Sequence, residues 1–161
     1  MGWKRHETLD DTLAFIERGD AQWQNEGVGP FVIELRDQHD AAASKHAASP
    51  VMTRPVLVGA TGFKLTKAVA ADEVELGYIF AKPFWGQGFA SETLLAMIAY
   101  AKERGFRRLV ARVHEDNTAS DYILLKHGLQ RPAEPLPRGS CPNLDSQDYL
   151  QLDYELMLNE C

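Results

Sequence analysis

The sequence is poor in cysteine. Cys141 and Cys161 are the two it has, with no metal-ligand spacing between them. That argues against a zinc cluster or a disulfide framework and leads us to expect free thiols in a reducing, cytoplasmic setting. The five histidines are scattered, and none pairs with another at ligand spacing, so no metal is expected. No run of 18 apolar residues occurs, so no membrane span is expected. The opening residues, from Met1 to Glu7, lack the apolar centre of a secretory signal. Basic residues are also in deficit. Seventeen Lys and Arg stand against 23 Asp and Glu, giving a net charge of −6. This weighs against sequence-independent nucleic-acid binding, which depends on neutralised phosphates. What is present suffices for a core: 45% of the residues are hydrophobic, and a single domain over 1–161 is expected.

The patterns follow in chain order. Residues 7–18 read as a helix with Thr8 as its cap, Asp10 and Asp11 at its positive end, and Leu9, Leu13 and Ile16 as an apolar stripe. Gly19 is expected to stop it, with a further helical turn over 21–25. Residues 31–35 read as a strand, 37–55 as a long mobile hairpin loop with small residues, and 56–65 as a second strand. Residues 74–81 form the next strand, which Pro83 must end because it cannot donate to a ladder. A helix is expected over 91–104, with Leu94, Met97, Ile98 and Ala101 on one face and Gly105 after it. Residues 108–114 alternate as a strand. Asn117 or Thr118 begins another helix, with Ala119, Ile123 and Leu124 inward and Gly128 stopping it. Residues 129–140 are irregular or an edge strand, and 149–158 make the last strand. Consecutive strands without helices between them imply antiparallel pairing. Only the crossing through 91–104 needs a parallel connection. The expected fold is therefore α/β (α+β): a mixed, mostly antiparallel sheet flanked by helices.

The stretch 74–92 organises the chain. Gly86 and Gly88 permit φ > 0 and a close approach to the backbone. The following helix start offers unpaired N–H groups at the positive end of a dipole, a site suited to phosphate. A P-loop is excluded, because no lysine follows Gly88 before the helix. A dinucleotide turn is excluded, because Ser91 stands in the third glycine slot. Two readings remain: a strand-to-helix turn whose glycines serve geometry alone, and a pyrophosphate cradle of the form Q/R-x-x-G-x-G/A. Gly88 and Ala90 meet the cradle pattern, with Trp85 in the Gln/Arg slot.

That cradle resembles the one that holds coenzyme A in the GNAT superfamily of N-acetyltransferases. The aromatic at Trp85 is similar to the branch containing the ribosomal-protein N-terminal acetyltransferases. The run His114-Glu115-Asp116-Asn117-Thr118-Ala119-Ser120, followed by Leu125-Lys126-His127-Gly128-Leu129, resembles the family's N-x-x-S and K-x-G-F signature at the expected distance. Cys141-Pro142-Asn143 before a Tyr-containing final strand is a third echo. The resemblance covers about residues 3–158 and implies the family's acyl-CoA N-acyltransferase fold. Against it, the first strand and helix of the family fold are expected to be missing from this chain. The loop before Val56 is long. Leu124 stands where many relatives carry an acid tyrosine, and Leu129 replaces the usual Phe.

The resemblance implies transfer of acetyl from acetyl-CoA to a primary amine, on a protein N-terminus or a small molecule. The cofactor is expected between the strands 74–81 and 108–114. Backbone of Ile79, Phe80 and Ala81 would pair with its pantetheine arm, and Trp85, Gly86, Gln87, Gly88, Phe89, Ala90 and Ser91 would form the cradle. Asn117 would bond the arm. Lys126 either reaches the cofactor or is a solvated helix lysine. Glu75 is a general base or a solvent-facing strand acid. Ser120 is the donor to the leaving thiolate or a helix-start residue, with Tyr122 as fallback. A non-catalytic acyl-CoA-binding or regulatory module is the alternative to an enzyme. The bared edge of 31–35 leads us to expect a homodimer.

Overall fold

Thr8 opens the first helix with a reciprocal cap. Its Oγ1 accepts the Asp11 N–H at 3.1 Å, and the Asp11 carboxylate accepts the Thr8 N–H at 2.9 Å. Two donors that a helix start otherwise leaves unpaired are thereby satisfied. The helix, α1, runs Leu9–Glu26. This corrects the expected stop at Gly19, because the chain stays helical through it. Gly19 is buried, and a Cβ there would lie 2.7 Å from Pro30 Cγ. The residue serves a close approach between helix and strand, at a propensity cost of about 1 kcal/mol relative to alanine. Gly27, with φ of 67°, ends α1.

The computed structural model describes residues 6–36, 55–65, 72–134 and 150–158. The expected loop over 37–55 falls almost wholly outside them, as do Cys141-Pro142-Asn143 and Cys161. Five strands follow α1 in one sheet: β1 (Pro30–Leu35), β2 (Val56–Lys64), β3 (Glu73–Phe80), β4 (Arg108–His114) and β5 (Gln151–Met157). They lie side by side in chain order, with every pair antiparallel except β3 and β4. This is the expected mixed sheet. Between β3 and β4 runs α2 (Phe89–Glu103), and α3 (Thr118–Lys126) follows β4. Helix α2 begins at Phe89, two residues before the expected start, because Gly88 takes the cap position in the left-handed region. Residues 129–134 are irregular, joined to β5 through a single bridge of Gln130 to Glu155.

Register sorts the side chains. Leu76 of β3 stands opposite Phe63 of β2 and Ala111 of β4, and Ala111 stands opposite Tyr154 of β5. These residues share one face and join the core with Leu94, Met97 and Ala101 of α2 and Leu124 of α3. Fully burying each Leu or Met contributes about 1.5–3 kcal/mol. Ala119, expected inward, is exposed. Tyr154 anchors α3 to this face. Its hydroxyl donates to the Asp121 carboxylate, and the Arg131 guanidinium lies 4.2 Å from its ring centre. Burial first, and the bond to Asp121 second, push the Tyr154 pKa far up.

The opposite face carries charge. Arg108 bridges Glu73 of β3 at 2.9 Å and Glu155 of β5 at 2.6 Å. Burial pushes the Arg108 pKa down, but the bonds to Glu73 and Glu155 outweigh it and the net shift is upward. Glu75 and Arg112 form a second ion pair on this face.

Candidate active site

Strands β3 and β4 pair only from Glu73 to Leu76, against Arg108 to Ala111. Beyond that point β3 stays with β2 as far as Phe80, and β4 stays with β5 as far as His114. The two parallel strands therefore part, and a wedge opens between Gly77–Phe80 and Arg112–His114.

The backbone facing this wedge follows from the ladders. Ala81 gives its N–H to the Val58 carbonyl of β2, and Arg107 gives its N–H to the Asp72 carbonyl. Alternation along β3 then turns odd-numbered residues toward β2 and even-numbered ones toward β4. Tyr78 and Phe80 present backbone to the wedge. Ile79 and Ala81 do not, which corrects two of the three expected backbone partners. The Phe80 carbonyl already accepts the Trp85 indole N–H at 2.7 Å, tying the turn to the strand end.

At the mouth of the wedge the chain makes a short 3-10 turn, Lys82–Phe84, with Pro83 at its start. The Trp85 N–H is spent on the Lys82 carbonyl, so Trp85 is not a backbone donor of the cradle, contrary to expectation. Its ring remains 64% exposed. Gly86 and Gly88 have φ of 73° and 90°, and a Cβ at either would meet nothing within 4 Å. The first bond of α2 is Glu92 N–H to the Gly88 carbonyl. Among the described residues, the N–H groups from Gly86 to Ser91 donate to no acceptor, and no side chain caps the helix. Gln87 folds its amide back onto the Pro83 carbonyl at 2.8 Å, which stiffens the turn. Glu92 is the one acid in the first turn. This is a basin of donors at the positive end of a helix, sterically open and suited to an anion.

The remaining expected residues divide between the two faces. The Asn117 side-chain oxygen accepts the Ser120 N–H at 3.2 Å as the cap of α3, leaving only its amide N–H groups to reach outward. Ser120 lies half-buried beside Tyr78, on the α3 side of the sheet. Glu75 lies on the other side, with one carboxylate oxygen held by Arg112. Glu75, within the paired seam, and Ser120, beside Tyr78, thus lie on opposite faces of the sheet. Lys126 is exposed at the far end of α3, its Nζ 5.9 Å from the centre of the Tyr122 ring. At about 1.5 Å of rise per residue it is about 9 Å along the axis from Ser120. Tyr122 is 65% exposed, and Leu124 is buried in the core.

Three wedge residues escaped the sequence reading. From the sequence Arg112 is only one residue of an alternating strand, since its partner Glu75 lies 37 residues away. Gly77 stands opposite Gly62, so that pair adds no side chain to the Glu75 face where the strands part. Tyr78 reads as one more strand residue between Gly77 and Ile79. Its hydroxyl is buried and makes no hydrogen bond of normal geometry. Burial raises its pKa, with the nearby Ser120 hydroxyl pulling the other way. The only available signal was a polar tip in an apolar strand. Elsewhere, a groove of about 330 Å³ is lined by Arg131, Pro132, Gln151, Leu152 and Asp153, none of them a residue of the wedge or the turn. Among the described residues, no cluster of His, Cys, Asp and Glu is suited to a metal, and no helix is long and apolar enough to cross a membrane.

A mixed sheet whose parallel pair parts beside an uncapped, glycine-flanked helix start defines a GNAT-like α/β protein. The chain belongs to that family: residues 1–130 match the acetyltransferase (GNAT) domain. An uncharacterised N-acetyltransferase of Bacillus subtilis, YoaA, is 28% identical over 131 residues, covering 81% of this chain and 64% of that protein's length. Among solved structures, yncA of Salmonella typhimurium, an acetyltransferase described with its cofactor acetyl-CoA, superposes with a TM-score of 0.69 at 19% identity, over 100% of this chain and 80% of that one. An N-acetyltransferase from Staphylococcus aureus Mu50 gives 0.66 at 22% identity, over 98% and 82%. At these identities the structural likenesses establish the fold.

Proposed function

We propose that the chain is an N-acetyltransferase moving the acetyl group of acetyl-CoA to a primary amine by direct attack in a ternary complex. The observation that carries this is the row of free N–H groups from Gly86 to Ser91 at the mouth of the β3–β4 wedge. The cradle fits a pyrophosphate. Each charge-assisted bond to such a donor contributes about 1.5–3 kcal/mol, so several can hold a dianion without a lysine. Phe80 and Tyr78 backbone and the Asn117 amide are the groups placed to bind and orient the arm. When bound, acetyl-CoA supplies an acetyl group activated as a thioester.

The chain's own residues do the rest. An amine attacks only when neutral. Glu75 takes its proton on the face left open by Gly77, with Arg112 holding the carboxylate in place. Ser120 attends the sulfur from the other face. The acceptor class in this reading includes protein N-termini, as in the ribosomal-protein branch, and small amines. The domain spans 1–161 and works in the cytoplasm. A second copy pairs with β1, whose Val32 is 67% exposed and which pairs only with β2 among the described residues. Light scattering tests that pairing, and a monomer at high concentration would contradict it.

A thiol-release assay against a panel of amines tests the activity. Turnover with any amine is the expected result. Tight acetyl-CoA binding with no acceptor found would instead favour a non-catalytic acyl-CoA-binding module. Glu75→Gln is expected to lower turnover more at pH 7 than at pH 9, because free amine becomes abundant as pH rises. Equal loss at both values would leave Glu75 a structural partner of Arg112.

A further inference from the structure

We propose that the Tyr78 hydroxyl is the proton donor to the departing sulfur, a role that rests on the acetyl-transfer reading above. Tyr78 is the second residue past the last β3–β4 pair, Leu76 with Ala111. It therefore stands where the wedge opens. Its side chain lies on the α3 face and its backbone faces the wedge itself. The hydroxyl is buried and makes no hydrogen bond of normal geometry, with the Ser120 hydroxyl as its near neighbour. An orphaned buried hydroxyl costs about 1–3 kcal/mol, and such a group calls for an explanation in what it is there to meet. Thr61, directly across on β2, does not use it, giving its own hydroxyl to the Gly77 carbonyl at 3.0 Å. Ser120 is its polar neighbour from α3.

The helix tyrosines do not compete for this role. Position 124 is a buried leucine, and Tyr122 points into solvent beside Lys126. Burial pushes the Tyr78 pKa above its ordinary value, which favours the protonated form that can donate. The amine nitrogen bonds the acetyl carbonyl carbon. The carbon–sulfur bond breaks, its electron pair goes to sulfur, and sulfur takes the Tyr78 proton. The amine's surplus proton leaves through Glu75 to water, and the tyrosinate, steadied by the Ser120 hydroxyl, recovers a proton from water.

The test compares coenzyme A with desulfo-coenzyme A, which lacks the sulfur, by titration calorimetry on wild type and Tyr78→Phe. Wild type is expected to prefer the sulfur-bearing ligand by about tenfold, and Tyr78→Phe to bind the two equally, since a single hydrogen bond to sulfur is at stake. Turnover of the variant is expected to fall about a hundredfold or more. Its melting temperature without ligand should hold or rise, because an unpaired buried hydroxyl has been removed. A variant that keeps the preference for sulfur, or loses both ligands alike, overturns the role of Tyr78. Failure of wild type to bind either ligand overturns the acetyl-transfer reading itself, and the proposal with it.

Discussion

Helices α1 and α2 begin in opposite ways. At α1, Thr8 and Asp11 satisfy each other's backbone donors, and the Asp11 carboxylate also accepts the Glu7 N–H at 3.0 Å. At α2, Gly88 offers no side chain, and the donors ahead of Glu92 stay open. Both starts have the same unpaired groups and the same positive dipole end. One is closed by its own sequence and serves stability. The other is left open by its own sequence and, in the function proposed above, serves binding. Free donors at a helix start therefore point to a ligand only when the sequence has passed over the usual Ser, Thr, Asp or Asn cap and has used glycine to clear the approach.

The contrast breaks most sharply at Gly88. Acetyl-CoA at a hundred times its Kd is expected to stabilise the wild type by about 2.7 kcal/mol. Gly88→Val should remove that shift entirely in a thermal-melt titration. With φ of 90° and open space around the added Cβ, the harm comes from backbone strain and from a side chain placed in the approach. An unchanged shift would end the cradle assignment. Thr8→Ala is the converse. It should cost about 1 kcal/mol of stability, read in denaturant or heat, and leave the acetyl-CoA shift as it was. A ligand shift that falls with the cap would show the two starts to be coupled. The smallest effect concerns pH. Bonds from the Glu7 N–H, and then from Thr8, hold the Asp11 carboxyl below its ordinary value of 3.8. A lowered folded pKa gives stability that is present above 3.8 and is lost as pH falls through the folded value. The stability gap between wild type and Asp11→Asn should therefore close in strong acid. Asp11 is fully exposed, so screening keeps the gap small. A gap unchanged at low pH would deny the carboxylate its part in the cap.

Local chemistry made much of this readable beforehand. The Thr8 cap, the face of α2 and the positive-φ glycines all follow from neighbours within a few residues. What could not be read depends on partners far along the chain. Gly19 carries the signal of a helix stop, yet it is kept for contact with Pro30, which no periodicity reveals. Which of Tyr78, Ile79, Phe80 and Ala81 faces the wedge is set by the register with β2, which turns Ile79 and Ala81 away from it. Glu75 reads as a free acid until Arg112 arrives beside it. Tyr78 and Ser120 lie on separate elements and meet only when α3 packs onto the sheet.

The short run of β3–β4 pairing has a mechanical meaning. Six residue pairs join β2 to β3 and seven join β4 to β5, but four join β3 to β4. The sheet is thus two plates, β1–β2–β3 and β4–β5, meeting along a brief seam. Arg108 rivets that seam at one end by gripping Glu73 on the first plate and Glu155 on the second. Toward the wedge, the Glu75–Arg112 ion pair is a second tie between the plates. The amide protons of Val74 and Leu76, which face β4, should therefore exchange sooner than those at the centres of the longer ladders.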